Sequence, residues 1–103
     1  MTDLEEIKHR LLSRKAILID VREKYEWDNG HIPGALHLPL SQLGPATIPE
    51  SLPRNITLYL FCMKGGRAIQ AASILKLYYA DVVPLQCTFE ELSKADIRVP
   101  EIA

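Results

Sequence analysis

The chain has 103 residues, 48% hydrophobic and 24% charged, which fits one soluble globular domain over residues 1–103 and excludes a disordered or fibrous chain. Twelve basic residues against thirteen acidic ones, a net charge of -1, exclude a dedicated nucleic-acid binder, which needs a clustered basic excess to neutralise phosphates. No apolar run approaches the length of a membrane span and Met1 to Arg14 is polar, so no membrane partner is expected and the expected location is cytoplasmic. The two cysteines, Cys62 and Cys87, stand far apart with no Cys-x-x-Cys and no metal-ligand spacing. In a reducing compartment that pattern predicts two free thiols and no metal site.

Thr2 with Glu5 forms a capping-box pattern, and Leu4, Ile7, Leu11 and Leu12 follow at helical spacing, so a first helix is predicted over Asp3 to Ser13 with Glu6, Lys8 and Arg10 on its polar face. Ala16 to Asp20, AILID, is a continuous apolar run ending in an acid, the pattern of a parallel strand covered on both faces. Arg22 to Asp28 predicts one or two helical turns, Asn29-Gly30 a turn, and Ala35 to Leu38 a short strand. A proline-punctuated stretch then leads to TLYLF, Thr57 to Phe61, a second buried strand.

After Gly65-Gly66, Ala68, Ala71, Ala72, Leu75 and Tyr79 recur at i, i+3 and i+4, with Ile69, Ile74 and Leu77 widening the stripe, and predict a helix over Arg67 to Tyr79. DVVPL, Asp81 to Leu85, reads as a last short strand, and Thr88 with Glu91 as a capping box opening a terminal helix. Strands alternating with helices in so short a chain imply a parallel sheet with helices on both faces.

Cys62 stands where the second strand ends. It is open to two readings, the last small hydrophobe of the core or the first reactive residue of a loop. Ligand crevices of open parallel sheets lie at the carboxyl ends of strands, which favours the second. Gly65 and Gly66 allow a backbone that turns several N–H groups toward one point, and the following helix adds its positive end. Convergent amides with Lys64 and Arg67 nearby are the surroundings that favour a thiolate nucleophile.

Asp20-Val21-Arg22, the run GHIPGA from Gly30 to Ala35, and the loop Cys62-x-x-Gly65-x-Arg67 resemble the rhodanese family of sulfurtransferases in type, order and spacing, from Ile17 to about Leu92. The resemblance implies a three-layer α/β/α fold with a small central parallel sheet. It implies that Cys62 attacks the outer sulfur of a donor such as thiosulfate, holds that sulfur as a persulfide and passes it to cyanide, a thiol or a thioredoxin-like acceptor, with no metal or organic cofactor. By position, Met63, Lys64, Gly65, Gly66 and Arg67 form the cradle for the donor, while Asp20 and Arg22 support the site. The loop has six residues from Cys62 to Arg67, and the related phosphatases and arsenate reductases carry one more. The shorter loop points to sulfur transfer, and Lys64 and Arg67 suit a small dianionic donor, although Lys64 also reads as a solvated loop charge.

Other residues read as structural. Asp20 with Arg22 has the pattern of a carboxylate capping loop amides or pairing with the arginine. His31 is a tempting base, yet a low-pKa cysteine attacking sulfur needs none, and the histidine is expected to fix its turn. Tyr25 and Trp27 are expected to pack a short helix on the sheet. The family's glycine pair after the last strand is replaced here by Cys87-Thr88, and Leu92 falls near the family's tryptophan; Cys87 is open to reading as a resolving thiol or as an incidental one. The rivals to sulfur transfer are a non-catalytic binding or sensing module on the same fold and a phosphatase or arsenate reductase.

Overall fold

The computed structural model describes residues 3–44, 47–48, 52–97 and 99. The elements follow in the order α1 (Leu4–Leu12), β1 (Ala16–Asp20), α2 (Lys24–Asp28), β2 (Leu36–His37), β3 (Thr57–Phe61), α3 (Gly66–Leu75), β4 (Val82–Pro84) and α4 (Phe89–Lys94), with a 3-10 turn at Leu40–Gln42 between β2 and β3. Every residue of β1 and β3 is buried, as continuous apolar runs require. The four strands pair in parallel in the order β2-β1-β3-β4. Pro84, which has no N–H to give a ladder, sits on an edge strand.

Alternation along the strands divides the core in two. Ile17, Ile19, Val21, Leu58, Leu60 and Cys62 pack with Ala68, Ala71, Ala72 and Leu75 of α3. Leu18, Tyr59 and Phe61 pack on the other face with Ile7 and Leu11 of α1 and Leu92 of α4. The result is the expected three-layer α/β/α arrangement around a small parallel sheet. No helix among the described residues is long and apolar enough to cross a membrane.

Local capping matches the sequence at one end of the chain and shifts at the other. Thr88 and Glu91 exchange both bonds of a capping box, each 3.1 Å, at the start of α4. At α1 the cap is Asp3, whose carboxylate accepts the Glu6 N–H at 2.8 Å. The expected box used Thr2, which lies outside the described residues. Helix α3 ends at Leu75 rather than Tyr79, because the chain must turn there to enter β4; Tyr78 and Tyr79 N–H groups close that turn on the Leu75 carbonyl. Leu77 is consequently 77% exposed and Ile69 61%, so neither widens the buried stripe.

Helix α2 buries no residue, and Tyr25 points into solvent instead of onto the sheet. A five-residue helix has too little apolar surface to anchor itself, and polar contacts do so instead. Trp27 is stacked between His31 and His37, with ring centroids 3.8 and 4.7 Å apart. His31 donates from Nδ1 to the Trp27 carbonyl at 3.1 Å, and His37 from Nε2 to the Arg22 carbonyl at 2.8 Å.

Asp20 and Arg22 form a buried ion pair at the end of β1. Arg22 Nε lies 3.0 Å from both carboxylate oxygens, its Nη2 lies 2.8 Å from Oδ2, and its backbone N–H donates to Oδ1 at 2.9 Å. The same Nη2 donates to the Gly30 carbonyl at 2.8 Å, and the guanidinium lies 3.8 Å over the Phe89 ring. One side chain thereby ties together the end of β1, the turn after α2 and the start of α4. Such a pair is tolerable in the interior only because its hydrogen bonds are satisfied. Arg22→Met strands the Asp20 carboxylate and is expected to lower unfolding free energy in urea by about 3–5 kcal/mol. A loss under about 1 kcal/mol would contradict this role.

Candidate active site

β1 and β3 pair in register, Asp20 opposite Phe61, so their carboxyl ends meet at one edge of the sheet. The chain leaves β1 toward β2 on one side and returns to β3 on the other, which makes this edge the switch point where parallel sheets open a crevice. The loop after β1 carries α2 to one wall. The loop after β3 supplies the other, beginning with Cys62.

Cys62 is 1% exposed and finishes the α3-side core, yet it also lines an open cavity of about 380 Å3. Cys62 thus belongs to the core by its packing and stands at the wall of a cavity at the start of the loop. Gly65 adopts φ +105°, a conformation that L side chains rarely take, and this directs its N–H to Cys62 Sγ at 2.9 Å. Gly65 is also the residue before α3, so the sulfur sits at the amino end of a ten-residue helix. Of the expected cradle amides, Gly65 supplies the hydrogen bond to sulfur among the described residues.

The cavity is lined by Glu26, Cys62, Met63, Lys64, Gly66 and Arg67. Larger depressions of about 590 and 650 Å3 lie near His31 and Leu92 and near Arg10 and Arg54, and neither is lined by a cysteine. Lys64 is exposed, and its ammonium has no carboxylate partner among the described residues. Met63 forms an exposed apolar rim.

Arg67 is not free. Its guanidinium forks onto the Glu26 carboxylate, Nη1 to Oε1 and Nη2 to Oε2, the latter at 2.9 Å. Oε1 also accepts the Glu23 N–H at 3.1 Å, because Glu26 completes the capping box of α2. The carboxylate that caps α2 thus also binds the arginine in the first turn of α3. Hydrogen bonding to Arg67 is the largest influence on the Glu26 carboxyl and lowers it from 4.5 to about 2, against the opposing effect of burial. Arg67 is held above its usual range, first by Glu26 and to a lesser degree by the field of Cys62.

Asp20 and Arg22 stand behind this cavity rather than in it, and His31 lines a different depression. Cys87 belongs with the core on the opposite face of the sheet from Cys62, both thiols are free, and burial pushes the Cys87 thiol up. That placement disfavours a resolving role. Glu26 is the site residue that the sequence reading did not single out; the Glu23-x-x-Glu26 capping pattern was its one local signal.

Because the Glu26 carboxyl is depressed in the folded state, the pair stabilises the fold above the ordinary carboxyl value and loses that contribution as pH falls through the folded one. The stability difference between the wild type and Glu26→Gln is therefore expected to be constant above pH 4.5 and to shrink between 4.5 and about 2. Paired urea titrations across that range measure it, and a difference independent of pH contradicts the pairing.

The model of the rhodanese-like domain matches residues 3–95. A human protein named thiosulfate:glutathione sulfurtransferase is 33% identical over 85 residues, covering 71% of this chain and 74% of that protein. The probable adenylyltransferase/sulfurtransferase MoeZ of Mycobacterium tuberculosis is 40% identical over 74 residues, 71% of this chain; the chain spans only 19% of MoeZ. Among solved structures, the human single-domain sulfurtransferase TSTD1 superposes with a TM-score of 0.76 at 30% identity, covering 91% of this chain and 95% of that one. With its switch-point cysteine loop and its match over residues 3–95, the chain belongs to the rhodanese-like domain family, here represented by relatives named as sulfurtransferases.

Proposed function

We propose that this protein is a sulfurtransferase that carries sulfane sulfur on Cys62 as a persulfide. The observation that carries the reading is Cys62, whose sulfur accepts the Gly65 N–H at the amino end of α3 and which lines a small cavity together with Lys64. An amide held in place before the reaction stabilises charge on sulfur without reorganising.

The reaction has two halves. The Cys62 thiolate attacks the outer sulfur of thiosulfate, a bond forms between the two sulfurs, and the bond to the sulfonate sulfur breaks with its electron pair leaving as sulfite. Cys62 is left as a persulfide anion. A thiolate acceptor then attacks the outer sulfur, takes it away as its own persulfide, and releases the Cys62 thiolate. Dividing one transfer into two displacements is the covalent strategy expected of a nucleophilic cysteine. The six-residue loop favours this chemistry over phosphate or arsenate chemistry.

In this reading Lys64 meets the sulfonate end of the donor and the Met63 to Arg67 segment cradles the reacting sulfur, supported by the Gly65 N–H on Cys62 Sγ and by Lys64 lining the same cavity as Cys62. Asp20 and Arg22 act at one remove, fixing the loop that leaves β1. The name of the human relative, thiosulfate:glutathione sulfurtransferase, supports thiosulfate as donor and a thiol as acceptor. The exposed Met63 rim leaves room for a protein acceptor such as a thioredoxin-like dithiol. The reading needs no metal or organic cofactor, and two free thiols suit the cytoplasm.

Cys62→Ser is expected to reduce thiosulfate:cyanide sulfur transfer to the uncatalysed rate while leaving the thermal unfolding transition in place. Activity surviving in this variant contradicts the proposal. A wild-type protein that binds thiosulfate without turnover favours the binding-module reading instead.

A further inference from the structure

Glu26 presents a chemical conflict. The cavity around Cys62 contains two cationic side chains, Lys64 and Arg67, and one carboxylate, Glu26. The nearby Arg22 adds no net charge, because buried Asp20 answers it. Glu26 engages both terminal nitrogens of Arg67, and its carboxyl is depressed to about 2, so the pair stays ionised at any working pH. Beside the Cys62 thiolate, the other side chains of the cavity therefore offer an incoming donor one net positive charge, where the two cations alone would offer two.

We infer that Glu26 sets the charge selectivity of the donor step, holding Arg67 at the wall of the cavity and tuning the site toward sulfane-sulfur donors with a single negative charge at the expense of dianionic ones. The inference rests on the sulfur-transfer reading of the same cavity. Glu26 touches no reacting atom in this arrangement and acts through Arg67, so it is a positioning residue. Its other contact, to the Glu23 N–H, fixes the carboxylate from the α2 side and leaves it little freedom to turn away.

Charge balance makes the consequence specific. With thiosulfate, a thiolate meets a dianion, and sulfite leaves as a dianion. With an organic thiosulfonate such as benzenethiosulfonate, the same thiolate attacks the same kind of outer sulfur in a monoanion, the sulfur–sulfur bond breaks, and the electron pair leaves on benzenesulfinate. The two reactions differ by one negative charge at the mouth of the cavity. A carboxylate in the wall discriminates against that extra charge, whereas one that merely held the loop in shape would affect both donors alike.

The test compares kcat/KM for thiosulfate and benzenethiosulfonate in the wild type, Glu26→Gln and Glu26→Asp. Glutamine keeps an acceptor for the Glu23 N–H and for Arg67 but removes the charge, and it is expected to raise the thiosulfate-to-thiosulfonate ratio by about tenfold. Its thiosulfate rate should also fall more steeply with added salt than that of the wild type. Aspartate keeps the charge and should keep the wild-type ratio, even if both rates drop. A ratio unchanged in Glu26→Gln, or shifted equally in Glu26→Asp, overturns the inference while leaving sulfur transfer standing. Absence of turnover with both donors in the wild type overturns the sulfur-transfer reading, and this inference with it.

Discussion

The parallel pairing of β1 with β3 governs what happens at the carboxyl edge of the sheet. Because Asp20 lies opposite Phe61, the loops that follow the two strands start side by side and face each other across the switch point. Each loop is then stabilised by a different kind of contact. The first is held from below by the buried Asp20–Arg22 pair, which reaches the Gly30 carbonyl and the Phe89 ring. The second is shaped by the left-handed backbone at Gly65 and by the core packing of Cys62 against α3. Glu26 and Arg67 join the two loops across the crevice.

This arrangement separates rigidity from reactivity. The Cys62 side chain is packed in the core, so its sulfur has a fixed position, while Met63 and Lys64 beside it lie exposed on the loop. Charge is distributed along the same gradient. The fully buried ion pair is closed to solvent and to ligands; Glu26 and Arg67 are partly buried at the wall, and Lys64 is exposed with no carboxylate partner among the described residues. A site built this way keeps its uncompensated cation on the exposed loop without leaving an unpaired charge in the interior.

The central strands were legible in the sequence because five-residue apolar runs bounded by polar residues have few other uses in a small α/β chain, and both appear with the expected bounds. The Thr88–Glu91 box was equally readable, being a local exchange of bonds. At α1 the Thr2–Glu5 spacing suggested a box, but the cap is Asp3, whose carboxylate takes the Glu6 N–H one residue further on. The end of α3 was overread because the apolar stripe continues in sequence past Leu75, where the path to β4 forces a turn. Tyr25 was overread because hydrophobicity does not tell that a five-residue helix will be anchored by polar contacts. The Glu26–Arg67 pair was invisible for a different reason: its partners are 41 positions apart, and only the β1–β3 register brings them together. Arg67 was read with Lys64 as suiting a small dianionic donor, and it is shared with a carboxylate that this reading did not include.

Placement of the two thiols on opposite faces of the sheet gives the account its sharpest consequence, since only one of them meets the cavity. Mass spectrometry of the protein after exposure to thiosulfate and removal of excess donor, with the label assigned by peptide, tests this directly. The account predicts one added sulfur, removable by a thiol reductant, on the peptide containing Cys62 and none on the peptide containing Cys87. Sulfur carried on Cys87, or no sulfur carried at all, would contradict it.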